Sequence, residues 1–190
     1  MAGCNEVLLV RHGETEDNAA ARFQGRLDTP LNARGREQSA ALAQALRDEG
    51  LRALYCSPLL RAHETARIVG AAIGLEPILD ERLVEADAGE WSGRLIADIV
   101  AGEREGYARW RAADPSFRFP GGESVAEQAR RIAAALADVA AGPLPALVVT
   151  HGGTIRAVAG IDRAVGGRIS VANCALFRLT VDRPAPSPAS

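Results

Sequence analysis

Two apolar runs in this chain each end on a histidine. Val7-Leu8-Leu9-Val10 leads into Arg11-His12-Gly13, and Ala146-Leu147-Val148-Val149-Thr150 leads into His151-Gly152-Gly153. An imidazole beside a permanently charged guanidinium suits a phosphate group, and the glycine lets the backbone turn sharply and approach a ligand. The plainer reading of either histidine alone is a surface residue that happens to follow a strand. Arg61 adds a further cation just after Ser57-Pro58, where a helix start would favour an anion. Glu85 lies in a polar stretch, 83–93, together with Asp87, Glu90 and Trp91.

For these side chains to meet, the elements carrying them must end at one edge of the molecule. Continuous apolar runs of this length read as strands buried on both faces, the habit of parallel sheets. In open α/β sheets, ligands bind beyond the carboxyl ends of the strands, so both histidines would point to the same edge. Asn32 is a candidate N-cap for a helix over 33–48, with Gly50 as its stop. Residues 53–56 form a short strand. Ser57 and Pro58 are placed as N-cap and first helical residue of a helix whose stripe is Leu59, Ala62, Ala66, Val69 and Ile73. Residues 77–79 read as a brief edge strand and 95–111 as weakly helical. Ser124 and Glu127 make a capping box for a helix with Val125, Ala129, Ile132, Leu136 and Val139 on one face. A short helix is expected over 154–159 and a last strand over 175–181. Strands alternating with amphipathic helices predict an α/β fold, a three-layer α/β/α sandwich on a mostly parallel sheet.

Composition sets the bounds. The chain has 190 residues, enough for a single domain, read as 1–182 with a disordered tail at 183–190 that carries Pro184, Pro186 and Pro188. A net charge of −2 gives no reason to expect a nucleic-acid or membrane partner. All 22 basic residues are arginine, so any cationic contact to phosphate must come from Arg or His. The three cysteines, Cys4, Cys56 and Cys174, are too scattered for a disulfide framework or a zinc cluster, and the latter two are read as buried thiols. With neither a signal-like segment nor a membrane-length apolar run, the expected location is cytoplasmic. The sequence leaves the oligomeric state open, a homodimer included.

Taken together, Leu-Val-Arg-His-Gly-Glu-Thr at 9–15, Ser-Pro-Leu-Leu-Arg-Ala-His-Glu-Thr-Ala at 57–66, Leu-Val-Glu with Gly-Glu-Trp-Ser-Gly at 83–93 and Thr-His-Gly-Gly at 150–153 resemble the histidine phosphatase superfamily, in its phosphoglycerate-mutase-like branch. The resemblance implies that His12 is the nucleophile and becomes phosphohistidine. It implies that Arg11, Arg61 and His151 bind the phosphoryl oxygens, with a backbone N–H from Gly152. Glu85 would protonate the leaving oxygen and then serve as base for the attacking water. Asn18, Gln24 and Gly25 match positions at the entrance to the phosphate site. Neither a metal nor any other cofactor is called for, and the partner is a small-molecule phosphomonoester.

Around these residues the roles are humbler. Ser57 is read as a helix cap rather than a ligand contact. His63 lies roughly 200° around the helix from Arg61 and is read as structural. Glu14 and Glu90 are supporting or solvated groups, and Trp91 packs the loop that presents Glu85. The span between Glu85 and His151 is shorter than the segment that closes the site in the glycolytic mutases, which favours water access and hence a phosphatase. A phosphomutase and a non-catalytic phosphate-binding module are the other readings. After His151 the chain departs from the family: 154–174 is a short segment interrupted by Gly160, Gly166 and Gly167. Sugar phosphates, phosphoglycerates, nucleotides and cobalamin-precursor phosphates all fit the motifs.

Overall fold

The computed structural model describes residues 5–159 and 171–181. Its centre is a five-stranded sheet in the order β3-β2-β4-β1-β5, with β1 Glu6–Arg11, β2 Ala53–Cys56, β3 Ile78–Leu79, β4 Ala146–Thr150 and β5 Leu176–Thr180. Strands β1 to β4 run parallel and β5 pairs antiparallel with β1. The pleat sorts side chains by parity. Leu8, Val10, Leu54, Cys56, Leu147 and Val149 face one layer, built from α2 (Ala33–Ala45) and α3 (Leu60–Ile73). Val7, Leu9, Ala53, Ala146 and Val148 face the other, where α6 (Val125–Ala141) and α7 (Gly152–Ala159) contribute Ala135, Val139 and Ile155. This is the expected three-layer arrangement, and it explains why β1 and β4 are apolar without alternation: each is buried on both faces.

Register carries the functional consequence. Arg11 of β1 lies opposite Thr150 of β4, and the His12 N–H donates to the Thr150 carbonyl at 3.0 Å. The two residues that follow, His12 and His151, are therefore neighbours at the carboxyl edge despite their distance in sequence.

Several boundaries differ from expectation. A four-residue helix that the sequence reading did not place, α1 (Glu16–Ala19), follows β1, its Thr15 cap accepting from the Asn18 N–H. Helix α2 ends at Ala45 rather than 48, and the 95–111 region splits into α4 (Ile96–Gly102) and α5 (Arg104–Arg111). Ser57 does not cap α3: the cap position is Leu59 and Pro58 precedes the helix. The capping box of α6 forms as read, with Ser124 and Glu127 each accepting from the other's N–H. Cys174 is half-buried rather than enclosed, and both it and Cys56 are free thiols. Cys4, Gly160, Gly166, Gly167 and the tail at 183–190 lie outside the described residues.

A third cluster sits outside the sheet sandwich. Phe23, Trp91, Phe117 and Phe119 are buried together with Ile99 and Val125, their rings meeting edge to face at 5.1–5.7 Å. Trp91 is fully enclosed, and its Nε1–H donates to Glu103 at 2.7 Å. As expected of it, Trp91 packs the segment that carries Glu85.

Candidate active site

At the carboxyl edge of the sheet lies a cavity of about 190 Å3 lined by Arg11, His12, Asn18, Gln24, Gly25, Arg61, Glu85 and Gly152, among others. Every residue expected at the site lines it except His151, which is fully buried behind His12, ring centroids 5.2 Å apart. His63 is half-buried and does not reach the cavity.

His12 is only 3% exposed, and its two ring nitrogens are fixed by their partners. Nδ1 lies 2.7 Å from the Gly13 carbonyl, an acceptor, so Nδ1 carries the proton. Nε2 lies 3.2 Å from the Arg61 Nε–H, a donor, so Nε2 presents its lone pair. Burial, then the positive charges of Arg61 and Arg11, hold the His12 pKa well below its ordinary value, outweighing the Gly13 carbonyl. The ring is neutral at pH 7.

Arg61 is 1% exposed and held on three sides. Besides the contact to His12, one terminal nitrogen donates to the Leu27 carbonyl at 2.6 Å and the other to the Gly25 carbonyl at 2.8 Å. Gly25 thus serves the site through its backbone; its φ of 54° and the closeness of Ala88 leave no room for a side chain. Burial pulls the Arg61 pKa down to about 10, opposed by Glu85, Asp28 and Asp17, so it keeps its charge at neutral pH. Arg11 donates to the Val171 carbonyl at 2.5 Å, while its Nε is buried with no hydrogen-bond partner among the described residues. A side chain at Gly152 would come within 3.5 Å of that nitrogen; glycine leaves it open.

His151 repeats the pattern. Its Nε2 is 2.8 Å from the Ser57 hydroxyl and its Nδ1 is buried without a partner among the described residues. Burial, then Arg61, His12 and Arg11, depress its pKa as well. Ser57 therefore has a place that its reading as a cap missed. It accepts the Leu59 N–H at 3.3 Å and pairs with His151.

The Glu85 carboxylate is fixed from both sides. Oε1 accepts from the Ala86 N–H and from the Gln128 amide, each at 2.9 Å, and Oε2 accepts from the Gly153 N–H at 2.9 Å. Any Cβ at Gly153 would collide with this carboxylate. The strand of chain before it is tied down by Arg131, which donates to the carbonyls of Arg82, Val84 and Glu85 at 2.7–3.1 Å and pairs with Glu123. Gln128 and Arg131 are site-supporting residues the sequence reading passed over. The available signal was Gln128 itself, a polar side chain 1% exposed on the buried stripe Val125, Gln128, Ile132, Ala135, Val139.

Asn18 and Gln24 line the entrance in supporting roles. The Asn18 Oδ1 accepts from Asn173 at 3.1 Å, and Asn173 also donates to the His12 carbonyl at 3.0 Å. The Gln24 Oε1 accepts from Thr15 at 3.1 Å. Glu14 accepts from Asn32 at 3.0 Å beneath the site, a supporting contact as expected.

The fold and the residues gathered at this edge define a class. The family model described as histidine phosphatase superfamily (branch 1) matches residues 7–188, and the chain belongs to that superfamily. Among its relatives is phosphoserine phosphatase 1 of Hydrogenobacter thermophilus, 40% identical over 134 residues, 70% of this chain but only 64% of that protein's length. A probable phosphoglycerate mutase GpmB of an Enterobacter species is 37% identical over 92% of this chain and 84% of its own. Among solved structures, a mycobacterial glucosyl-3-phosphoglycerate phosphatase complexed with VO3 is 30% identical, covers 92% of this chain and 90% of its own, and superposes with a TM-score of 0.82.

Proposed function

We propose that this protein hydrolyses small phosphomonoesters through a phosphohistidine formed on His12. The observation that carries the reading is the pairing of an unprotonated nucleophile with unmet polar groups. His12 Nε2 carries no proton and accepts only from the Arg61 Nε–H, while buried Arg11 Nε and His151 Nδ1 have no partners among the described residues. Leaving a buried polar group unpaired costs about 1–3 kcal/mol, a cost that a phosphoryl oxygen would relieve at each. An anion at His151 Nδ1 selects the tautomer protonated there, with Nε2 accepting from the Ser57 hydroxyl.

In the first step the His12 Nε2 lone pair attacks phosphorus and the P–O ester bond breaks, with Glu85 giving its proton to the leaving oxygen. In the second, water attacks phosphorus, the P–N bond breaks, and Glu85 takes the water's proton. Arg11, Arg61, His151 and the Gly152 backbone N–H hold the phosphoryl oxygens, and the arginines supply the charge stabilisation. The arrangement asks for no metal. The free thiols Cys56 and Cys174 suit a reducing compartment such as the cytoplasm.

The test is to quench the protein with labelled substrate and look for acid-labile, base-stable phosphohistidine, which His12→Ala must lack. No labelled intermediate during active turnover would overturn the reading. Kinship with the protein named probable phosphoglycerate mutase GpmB supports a second reading, in which the phosphoryl group passes to another acceptor rather than water. Phosphoryl transfer far outpacing phosphate release on one phosphoglycerate would establish that alternative.

A further inference from the structure

Helix α2 carries no residue that the proposed chemistry uses, yet it grips the backbone beside the nucleophile. Its outer positions Ala33, Arg34, Arg36, Glu37 and Ala40 are exposed, while Gly35 and Ser39 are buried and Gln38 is half-buried. Residues three and four apart share a helix face, so Gln38 turns with Gly35 toward the chain leaving β1. The packing there is tight. A Cβ on Gly35 would strike the Glu14 backbone, and one on Gly13 would strike the Gly35 carbonyl.

Gly13 and Glu14 together offer four backbone hydrogen-bonding groups, and each has a partner. The Gly13 N–H donates to Thr65 Oγ1 of α3 at 3.0 Å, and that hydroxyl's own proton goes to the Arg61 carbonyl at 2.7 Å. The Glu14 carbonyl accepts from the Asn32 N–H at 3.0 Å. The Glu14 N–H donates to Gln38 Oε1 at 2.9 Å. The remaining group, the Gly13 carbonyl, accepts the His12 Nδ1–H at 2.7 Å, the short end of the range for N–H···O bonds.

The last two groups belong to one peptide unit. The Gly13 carbonyl and the Glu14 N–H are opposite ends of a single planar trans peptide. A relay of hydrogen bonds therefore runs from Gln38 through this peptide to His12 Nδ1. Bonds in such a chain polarise one another in the same sense. An acceptor on the N–H makes the carbonyl a better acceptor, and this sends electron density through the imidazole toward Nε2. The same bond fixes the rotation of the peptide plane, and with it the direction in which the ring is held.

We infer that Gln38 is a positioning residue for the nucleophile: acting through the Gly13–Glu14 peptide, it aims the His12 ring and strengthens Nε2 for attack. This rests on the reading of His12 as nucleophile. A merely structural Gln38 would tie down the turn and leave the ring unaffected.

Two variants separate these roles. Gln38→Met keeps the length and helix preference of the side chain but removes the acceptor, whereas Gln38→Glu keeps an acceptor and charges it. Three quantities are measured: the single-turnover rate of His12 phosphorylation, the dissociation constant of inorganic phosphate, and the NMR resonance of the His12 Nδ1–H in the ligand-free protein. For Gln38→Met we expect phosphorylation about tenfold slower, a barrier change of about 1.4 kcal/mol. Phosphate affinity should stay near native, because Arg11, Arg61 and His151 are untouched, and the Nδ1–H resonance should move upfield. For Gln38→Glu we expect the resonance to move downfield and the rate to return to the native value or above. An unchanged rate in Gln38→Met overturns the inference. So does a rate that falls in step with phosphate affinity, or a Gln38→Glu protein no faster than Gln38→Met. A resonance that moves as stated in a protein that forms no phosphohistidine keeps the hold of Gln38 on His12 and defeats the phosphatase reading instead. A resonance that stays put in both variants overturns the relay whatever the activity. Should Gln38→Met not fold, Gln38→Glu decides alone: a resonance that has not moved downfield overturns the relay.

Discussion

At the scale of single residues, the site is a set of proton positions dictated by neighbours. Gly13 and Arg61 together leave His12 one tautomer, and burial beside two guanidinium groups keeps it neutral. We therefore expect His12 and His151 to stay neutral as pH falls through 6.5, with the His12 proton on Nδ1, as read from imidazole 15N shifts. A His12 ring charged at pH 6.5 in the ligand-free protein contradicts this. Ser57 sets the second histidine. Ser57→Ala strips from His151 Nε2 the one partner it has among the described residues, in a fully buried setting, at a cost of about 1–3 kcal/mol. It should lower kcat/KM about tenfold or more and weaken competitive inhibition by inorganic phosphate in step. Unchanged phosphate affinity would mean that Ser57 does not orient the cradle. Arg11, His12, Arg61 and His151 were legible because strand ends and helix starts announce themselves in sequence. Ser57 was not, because Ser-Pro before a helix reads locally as a cap, whereas α3 starts only at Leu60 and the hydroxyl is engaged by His151, far away in sequence.

At the scale of elements, helix α6 does for the acid what the sheet does for the histidines. Its Gln128 holds one carboxylate oxygen of Glu85, its Arg131 ties down the preceding carbonyls, and the start of α7 offers the Gly153 N–H to the other oxygen. Gln128→Leu keeps the bulk and apolar packing of the stripe but removes the amide donor. We expect kcat to drop about tenfold for alkyl phosphates, whose leaving oxygen needs the proton, and much less for aryl phosphates, which leave without it. An equal loss for both would show that Gln128 supports only the fold. The helix was legible from its capping box and apolar spacing, but its buried stripe takes Gln128 and Ala135 where the spacing placed Ala129 and Leu136, which are half-buried, and its function was not legible, because periodicity passes over a glutamine. The short α1 and the break between α4 and α5 were missed for a different reason. Helices of four to eight residues are not stable alone, and tertiary contacts that no local pattern encodes decide where they form.

At the scale of the molecule, the three layers were readable because burial on two faces and burial on one leave different sequence patterns, whereas the aromatic cluster around Trp91 draws on residues from 23 to 125 and has no such signature. Burying two neutral histidines also couples the whole fold to pH. Both have folded-state pKa values depressed below the unfolded value of about 6.5. Below that pH the unfolded chain binds protons that the native state refuses, so the stability these groups contribute is present above 6.5 and lost as pH falls toward their native values. Each contributes a slope of at most about 1.4 kcal/mol per pH unit, about 2.7 for the pair. Carboxylates titrate mostly lower, so urea unfolding between pH 6.5 and 5 isolates the effect. We expect stability to fall over that window and His151→Asn to remove about half of the slope. Inorganic phosphate, binding only the native state, should raise the midpoint throughout the window. A flat profile between pH 6.5 and 5 would mean that the histidines accept protons in the folded protein, and with that the neutral nucleophile on which the proposed chemistry depends would be lost.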